Sequence, residues 1–591
     1  MRHSQRKTAY KSLAPIIVAS SVGTLIEWYD FFIFGSLSTI IATVFFPKGN
    51  PVAAFLATLA TFSAGLLVRP LGALFFGRLG DLIGRKYTFM FTLVLMGGST
   101  IAIGLVPAYE TIGFFAPLIV LILRLFQGLA IGGEYGGAAT FVAEQSPVNK
   151  RGYWTSWIQS TSPLAFILSM AVIVLTKSSM EAKAWESWGW RIPFLVSILM
   201  VGISVYIRKN MAESPLFAKA KAEGKTSSNP LKESFGNKAN LKIVLLAFLG
   251  LTLGTGTMGW TGFYTQSFLV KIMFVDFDQA NTVVINGILL GIPFFIFFGW
   301  LSDRIGRKYL LVISLLLGAL CSRPIFSQMY QVINLRNKVE NRSANIFDIK
   351  RQLLPGGDSL IVATIMHFYT DGTICREEKT EVLYKGKPEK TEIVKIIKIN
   401  NTDKRTLVLM IFLLEFLFAI SFGPIAAYMV EMFPLKIRYT SLSLPYHLGY
   451  GIFGGMGLLF ATYFVEKAKE ANNSEYYLAG LTYPIVLMSV SLVIGLLYLK
   501  ESKDGQPEES VHYHYFNKIK RMLGFVWILL GIVAAYFGFF RLGIPKIMSG
   551  NQDDIIFGII MMAIITPVAS ISLLLFGKYA LQGEYDSKVL V

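Results

Sequence analysis

Cysteine is almost missing: two residues in 591, Cys321 and Cys375, support neither a disulfide framework nor a cysteine zinc cluster. Histidine is scarce too, with five residues between positions 3 and 514 and no HExxH or comparable metal spacing. Charge is thin, at 16% Asp, Glu, Lys and Arg, against 53% hydrophobic residues and a mean hydropathy of +0.54. A soluble chain could not keep that much apolar surface from water without large adhesive patches. There are also 46 Phe and 53 Gly, and glycine is commoner in transmembrane helices than in soluble ones. A polytopic membrane protein is what remains. Acidic residues are the minority, 37 against 55 Lys and Arg, for a net charge of +18. That excess is expected of the short cytoplasmic loops of a membrane protein, so no nucleic-acid partner follows from it. No metal and no cofactor are expected.

A span needs about 20 mostly apolar residues. Runs of that kind lie at 14–41, 52–76, 87–106, 114–142, 153–176, 190–207, 243–268, 280–301, 309–328, 406–430, 440–465 and 478–499, and two more at 522–540 and 555–577. The first run is too long for a signal-peptide core and is read as retained. The basic start (Arg2, Arg6, Lys7, Lys11) and the 208–242 loop, with eight Lys and Arg, predict that both termini and that loop are cytosolic.

The chain repeats itself. Gly77-Arg-Leu-Gly-Asp81-Leu-Ile-Gly84-Arg85-Lys86 and Gly299-Trp-Leu-Ser-Asp303-Arg-Ile-Gly306-Arg307-Lys308 share the pattern G-x-L-x-D-x-x-G-R-K at an offset of 222. Glu144, Pro147 and Arg151 recur as Glu431, Pro434 and Arg438 at an offset of 287. Four matched landmarks mark a duplicated six-helix unit, a common plan among secondary transporters. The difference between the offsets places an insertion of about 65 residues in the second half, within the polar segment 327–405. That segment reads as a small β-rich extracytoplasmic module. Ile361–Thr370 and Thr373–Tyr384 flank the turn pair Asp371-Gly372, and Thr391–Ile399 is a further strand-like run.

In the repeated loop, glycines allow close helix contact and the aspartate suits a helix N-terminus. Arg85 and Arg307 are expected to reach a carboxylate across the bundle, making a latch that closes the cytosolic side. Positive-inside anchoring would account for the Arg and Lys, but not for the recurrence of Asp and both Gly. The expected gate is Gly77, Asp81, Gly84, Arg85, Glu144, Arg151, Gly299, Asp303, Gly306, Arg307, Glu431 and Arg438.

These loops resemble the signature of the major facilitator superfamily, and further stretches resemble its metabolite:proton symporter family. They are Gly23-Thr-Leu-Ile-Glu27-Trp28-Tyr29-Asp30-Phe31, Arg69-Pro-Leu-Gly72, Arg124-x-x-Gln127-Gly128, Gly132-Gly-Glu134, Trp188-Gly-Trp-Arg191-Ile-Pro-Phe194 and Glu213-Ser-Pro215. In the second half, Gly423-Pro424, Glu431-Met-Phe-Pro434 and Tyr446-His447-Leu-Gly-Tyr450-Gly451 complete the set. The resemblance covers about 10–500 apart from the insertion, and implies alternating access with proton symport of an organic acid or a zwitterion such as proline or betaine.

Glu27 and Asp30 share one face of the first span, about 20 Å along it, and Arg124 lies about 15 Å into the fourth. Ionisable groups at such depth are functional candidates by default. A static ion pair would need one carboxylate, and here there are two. The resemblance implies that Asp30 and Arg124 are the proton switch, with Glu27 beside them. Substrate-cavity candidates are Tyr29, Arg69, Gln127, Glu134, Tyr264, Glu415 and His447; for Glu134, helix packing on the track Gly128, Gly132 and Gly136 is an equal alternative. Arg191, near a helix end, suits an interfacial anchor.

Gly254-Thr-Gly256-Thr-Met-Gly259 spells a dinucleotide fingerprint but lies inside an apolar run without a preceding strand, and Gly224-Lys-Thr226 lacks the first glycine of a phosphate loop. The sequons at Asn341 and Asn400 carry little information. The expectation is therefore an all-α integral membrane protein, not an enzyme. Its parts are a six-helix bundle (1–207), a central loop (208–242), a second bundle (243–500) holding the inserted module, a basic linker (501–521) and two added helices (522–591). Its partners are a small-molecule substrate, protons, the lipid bilayer and, at the module, an envelope partner; the proton gradient supplies energy. Alternatives are an uncoupled facilitator, which a proton uncoupler would not inhibit, and a transporter-like sensor, which would lose its function with the module.

Overall fold

Backbone amides in hydrocarbon must be paired within their own segment, which leaves helices as the way for such apolar runs to cross. The computed structural model describes residues 2–47, 51–209, 213–259, 261–353, 359–384, 387–503, 506–507, 514–549, 555 and 558–586. Parts of the expected linker and tail, at 504–505, 508–513 and 587–591, lie outside the described residues. Among the described residues thirteen helices are long and apolar enough to span a membrane, and a bent pair raises the number to fourteen.

Span 1 is that pair. Its helix Arg2–Ser36 turns by 64° into Ser38–Phe45. It begins well before the apolar run because nothing in residues 2–13 is Gly or Pro to stop it. The remaining spans of the first half are span 2 (Pro51–Leu82), span 3 (Arg85–Leu105), span 4 (Phe115–Gln145), span 5 (Val148–Ser178) and span 6 (Gly189–Lys209). The second half holds span 7 (Lys238–Ile272), span 8 (Phe277–Ile305), span 9 (Arg307–Ile333), span 10 (Asn401–Met432), span 11 (Leu435–Glu470) and span 12 (Tyr476–Tyr498). Spans 13 and 14 run Phe516–Ile547 and Gly558–Leu581. Span 7 is interrupted by π-helical turns at Phe248–Thr252 and Phe268–Ile272, and span 11 by one at His447–Gly454. Such turns free backbone groups and often mark working segments.

Glycines set the closest approaches. A Cβ on Gly128 would fall 2.1 Å from the Gly65 carbonyl oxygen, and one on Gly132 would fall 2.2 Å from that of Arg69. Spans 2 and 4 therefore touch backbone to backbone. The third glycine of the track, Gly136, faces Ser443 of span 11 instead.

The insertion folds as a four-stranded antiparallel meander, β1 (Ile346–Leu353), β2 (Ser359–Phe368), β3 (Ile374–Tyr384) and β4 (Lys387–Lys398). Strand β1 has no counterpart among the sequence expectations. The β2–β3 loop also differs: it spans Tyr369–Thr373 rather than two residues, because a two-residue type I′ turn needs positive φ at both positions and only Gly372 has it, at 85°. Asp371 accepts from the Thr373 amide (2.9 Å), and Lys338 Nζ lies 2.5 Å from both Asp371 Oδ2 and Asp403 Oδ2. This cluster ties the turn to the start of span 10. The other anchor is the 7–8 turn, where Ile397 donates to the Phe274 carbonyl (2.7 Å) and accepts from the Asp276 amide (2.9 Å).

Partial burial pushes the Asp371 carboxyl up, but the hydrogen bonds from Lys338 and Thr373 and the Lys338 charge outweigh it, so Asp371 sits below its ordinary value. A depressed carboxyl stabilises its fold above the unfolded value, about pH 3.9, and that stability is lost as pH falls through the folded value. Acidification below about pH 4 is thus expected to loosen the turn first. Faster hydrogen exchange at Thr373 than in β2 at that pH would show it; uniform protection would not.

Spans 13 and 14 form a hairpin sealed by glycines seven residues apart. Cβ atoms on Gly524, Gly531 and Gly538 would approach Gly577 O at 2.8 Å, Ser570 O at 3.1 Å and Thr566 Oγ1 at 2.0 Å. The hairpin docks on span 12, where Trp527 Nε1 donates to the Tyr498 hydroxyl (3.2 Å), and on span 7, where Lys242 pairs with Glu584 at 2.6 Å. Its other face exposes the apolar side chains of Phe525, Leu529 and Phe540, as suits a lipid-facing surface. Truncation after about residue 504 should therefore lower thermal stability and leave the substrate profile unchanged, as competition binding on the truncated protein would register.

Candidate functional site

A cavity of about 830 Å³, its open mouth included, lies between the halves. Trp28 and Phe32 reach it from span 1, Arg69 from span 2, Phe166 from span 5, Gln266 from span 7, Phe295 from span 8, Glu415, Phe418 and Phe422 from span 10, and Tyr446 and Tyr450 from span 11. Among the described residues, Arg69 and Glu415 are the charged residues in its wall. The wall is otherwise largely aromatic. Of the seven cavity candidates read from sequence, these two line it and five lie elsewhere. Tyr29 is one residue from Trp28, hence turned about 100° away on the helix, and donates to the Pro193 carbonyl (3.0 Å). Gln127 bridges Arg124 and Thr100. Glu134 pairs with Arg208 at 2.6 Å. Tyr264 packs on Phe326, and His447 stands edge-on to Tyr446, with ring centroids 5.2 Å apart. Arg191 donates to the Gly104 and Val106 carbonyls (2.7 and 2.8 Å), fastening span 6 to the end of span 3.

The Phe31 ring sits between two guanidiniums, 4.4 Å from Arg69 Cζ and 4.9 Å from Arg124 Cζ. Nε and Nη2 of both arginines are buried without a hydrogen-bond partner. Four charged-group donors left open in this way call for an acceptor, since a buried donor without one is costly. Among the described residues Asp30 and Arg124 make no ion pair within 4.0 Å, so the sequence expectation of a direct switch pair is not met in this conformation. They are joined at one remove. Arg124 Nη1 donates to Gln127 Oε1 (2.6 Å), Gln127 Nε2 donates to Thr100 Oγ1 (2.7 Å), and Thr100 lies beside the Asp30 carboxyl group. Ser197 of span 6 donates to Asp30 Oδ1 at 2.5 Å. Ser197 and Thr100 are neutral, and each is one of several hydroxyl residues in its span, so no charge pattern marked them in the sequence.

At the end of the bundle bearing the repeated loops, the latch end, the two halves lock together in a pseudo-symmetric pattern. Asp81 accepts from the Thr440 amide and hydroxyl (2.9 and 2.8 Å) and from the Tyr439 amide, in the first turn of the helix beginning at Arg438. Asp303 accepts from the Gly152 and Tyr153 amides (both 2.8 Å) at the helix beginning at Arg151. Each aspartate thus holds a helix N-terminus of the opposite half, where its charge is favoured. Arg438 pairs with Glu144 at 3.1 Å and Arg151 with Glu431 at 3.5 Å, also across the halves. Arg85 and Arg307 each reach a carboxylate across their own six-helix bundle, Glu144 (3.6 Å) and Glu431 (2.8 Å), and each also pairs with the aspartate of its own loop, Asp81 (3.1 Å) and Asp303 (2.9 Å); none of these ion pairs crosses between the halves. They neutralise the acids that do the crossing, and Arg85 adds a donor to the Leu435 carbonyl at 3.1 Å. Cβ atoms on Gly77 and Gly152 would strike Thr440 Cα at 2.9 Å and Gly299 O at 2.4 Å.

A third repeated landmark went unread. Glu213-Ser214 follows span 6 and Glu501-Ser502 follows span 12. Glu213 accepts from the Lys86 amide (3.2 Å), and Glu501 from the Arg307 and Lys308 amides (2.9 and 3.0 Å). Gly84 and Gly306, at φ 131° and 99°, cap the same helices. An offset search over Glu-Ser pairs would have found these acids.

A family model described as "Sugar (and other) transporter" matches residues 16–244, and one described only as a family of unknown function matches 516–587. The chain is 37% identical to the proline/betaine transporter of Escherichia coli K12 over 305 residues, 50% of this chain and 61% of that protein. The match to that relative therefore spans about three fifths of its length. It is 31% identical to the inner membrane metabolite transport protein YhjE of the same organism over 448 residues, 76% of this chain and 86% of that one. In fold it is similar to the proton:xylose symporter XylE bound to 6-bromo-6-deoxy-D-glucose, with a TM-score of 0.59 and 16% identity, covering 84% of this chain and 97% of that chain. With the duplicated bundle, the interlocked loops and the central cavity, these likenesses place the chain in the major facilitator superfamily, as a member of its metabolite:proton symporter family.

Proposed function

We propose that this protein is a proton-coupled symporter of a small zwitterion, working by alternating access in a plasma or inner membrane with the latch end and both termini cytosolic. The observation that carries the substrate class is the pairing of one arginine with open donors, Arg69, and one carboxylate, Glu415, in the wall of an otherwise largely aromatic cavity. Arg69 suits a substrate carboxylate, and Glu415 with aromatic faces suits an ammonium or quaternary ammonium group. The latch closes one end in this conformation, which fits a carrier with its site open to the other side. A proline/betaine transporter among its relatives supports the same reading. The position of Arg124 behind Phe31 favours a second reading, a dicarboxylate engaging both guanidiniums. Uptake into proteoliposomes under an imposed pH gradient, tested with betaine, proline and dicarboxylates, decides between them. Accumulation of a zwitterion that collapses with a proton uncoupler is expected. Accumulation of dicarboxylates alone would select the second reading, and gradient-independent equilibration would leave an uncoupled facilitator.

A further inference from the structure

Span 1 faces a second buried charge cluster, one turn from Asp30 and separate from the cavity. Glu27, Glu134 and Arg208 are 3%, 1% and 1% exposed. Both oxygens of Glu134 are engaged: Oε1 accepts from Arg208 Nη2 (2.6 Å) and Oε2 from Thr92 Oγ1 (2.9 Å). Arg208 spends its other terminal nitrogen on the Phe89 carbonyl (2.8 Å) and lies 3.4 Å over the Phe89 ring. Its guanidinium crosses span 1 at Gly23, where a Cβ would fall 1.7 Å from Nη2. Glu27, one turn on from Gly23 on the same face, lies against the Glu134 carboxyl group, and its Oε1 has no hydrogen-bond partner.

Two carboxyls share one guanidinium here. With both ionised the cluster would bury an uncompensated negative charge beside another, which a low-dielectric interior does not tolerate. The neighbouring groups do not alter the count. Arg69 from span 2 is attracted by Glu27 but is held over Trp28 and Phe31, Asp30 adds negative charge, and the Tyr439 hydroxyl from span 11 donates its hydrogen bond to the Gly133 carbonyl.

We propose that Glu27 and Glu134 form a second proton site, a carboxyl pair that holds one proton between them beside Arg208. Glu134 is the ionised member, fixed by Arg208 and Thr92, and Glu27 carries the proton. The pair lies on the latch side of Gln127, two turns further along span 4. Its use in coupling rests on the proton-symport reading: the pair releases its proton when the latch opens, and the emptied Glu27 then takes the next one from Asp30.

The test reads the proton directly. Infrared spectra of the full-length protein at neutral pH should show a protonated carboxyl C=O band that shifts in D₂O and persists in Asp30→Asn. Glu27→Gln should remove it. Glu134→Gln should remove the same band, since Glu27 then ionises against Arg208, and the double variant should remove no more than either single one. Glu27→Asp should keep the band at a shifted frequency. A band unchanged in Glu27→Gln, or a loss in the double variant equal to two separate bands, overturns the site. If Glu134→Gln does not fold, Glu27→Gln decides alone. These spectra report the site whether or not transport is proton-driven, whereas pH-gradient uptake reports the coupling.

Discussion

Replacing Asp30 with asparagine is expected to abolish uphill accumulation of substrate while leaving counterflow exchange in place. Asparagine imitates the protonated acid, so the carrier can still cycle loaded but can no longer pick up and release a proton. In the conformation described, Asp30 is held by Ser197 and lies next to Thr100, with the Arg124 charge kept back by Gln127. Burial without a cation favours the protonated carboxyl, and approach of a guanidinium favours the ionised one. A shift of Gln127 that lets Arg124 reach Asp30 would therefore expel the proton. Arg124→Ala should be more damaging, because it leaves the acid without a counter-charge in either state. Substrate-driven alkalinisation and counterflow in proteoliposomes give the two readouts. Concentrative uptake by Asp30→Asn at the wild-type proton ratio would remove Asp30 from the role.

At the latch, Asp81→Asn should shift the protein toward the state open at that end. Asparagine keeps one acceptor for the Thr440 amide but loses the charge shared with Arg85 and the second acceptor. A charge-assisted hydrogen bond is worth about 1.5–3 kcal/mol, or a population shift of about 10- to 150-fold. Asp303→Asn is equivalent on the other side of the pseudo-twofold, and the double variant should approach the product of the two. Gly152→Val should act more strongly, since its side chain would meet the Gly299 carbonyl and prevent closure. Ser441, buried behind the latch, supplies the probe. In a background lacking Cys321 and Cys375, maleimide reactivity of Ser441→Cys should rise by the same factors. Unchanged reactivity in Asp81→Asn would mean that the latch does not set the conformational balance.

The sequence carried the spans because each is a long apolar run, and it carried the duplication because glycine and charge recur at fixed offsets. Partners across the halves were harder to read. Asp81 meets backbone amides at 439 and 440, and amides have no letter of their own. Arg208 sits at the end of span 6, where Lys and Arg are ordinarily interfacial anchors, and only its approach to Gly23 and Glu134 shows otherwise. The cavity face was obscured for a related reason. Helices apolar on all sides give no periodic signal to tell Trp28 from Tyr29. Strand β1 escaped because Asp348 and Lys350 interrupt its apolar residues, and pairing with β2 defines it instead.

The joint between β4 and the 7–8 turn fixes an order of events during synthesis. Phe274 is a non-glycine residue at φ 58°, a conformation that costs about 1–2 kcal/mol. Its carbonyl and the Asp276 amide find their partners in Ile397, while Gln279 meets Ile399, 120 residues further along the chain. At about 5–20 residues per second, those partners emerge from the ribosome about 6–24 s after the turn does. Until then the turn carries its strain with its backbone groups open. Spans 7 and 8 are made early in the second half and completed late, by a strand translated after span 9.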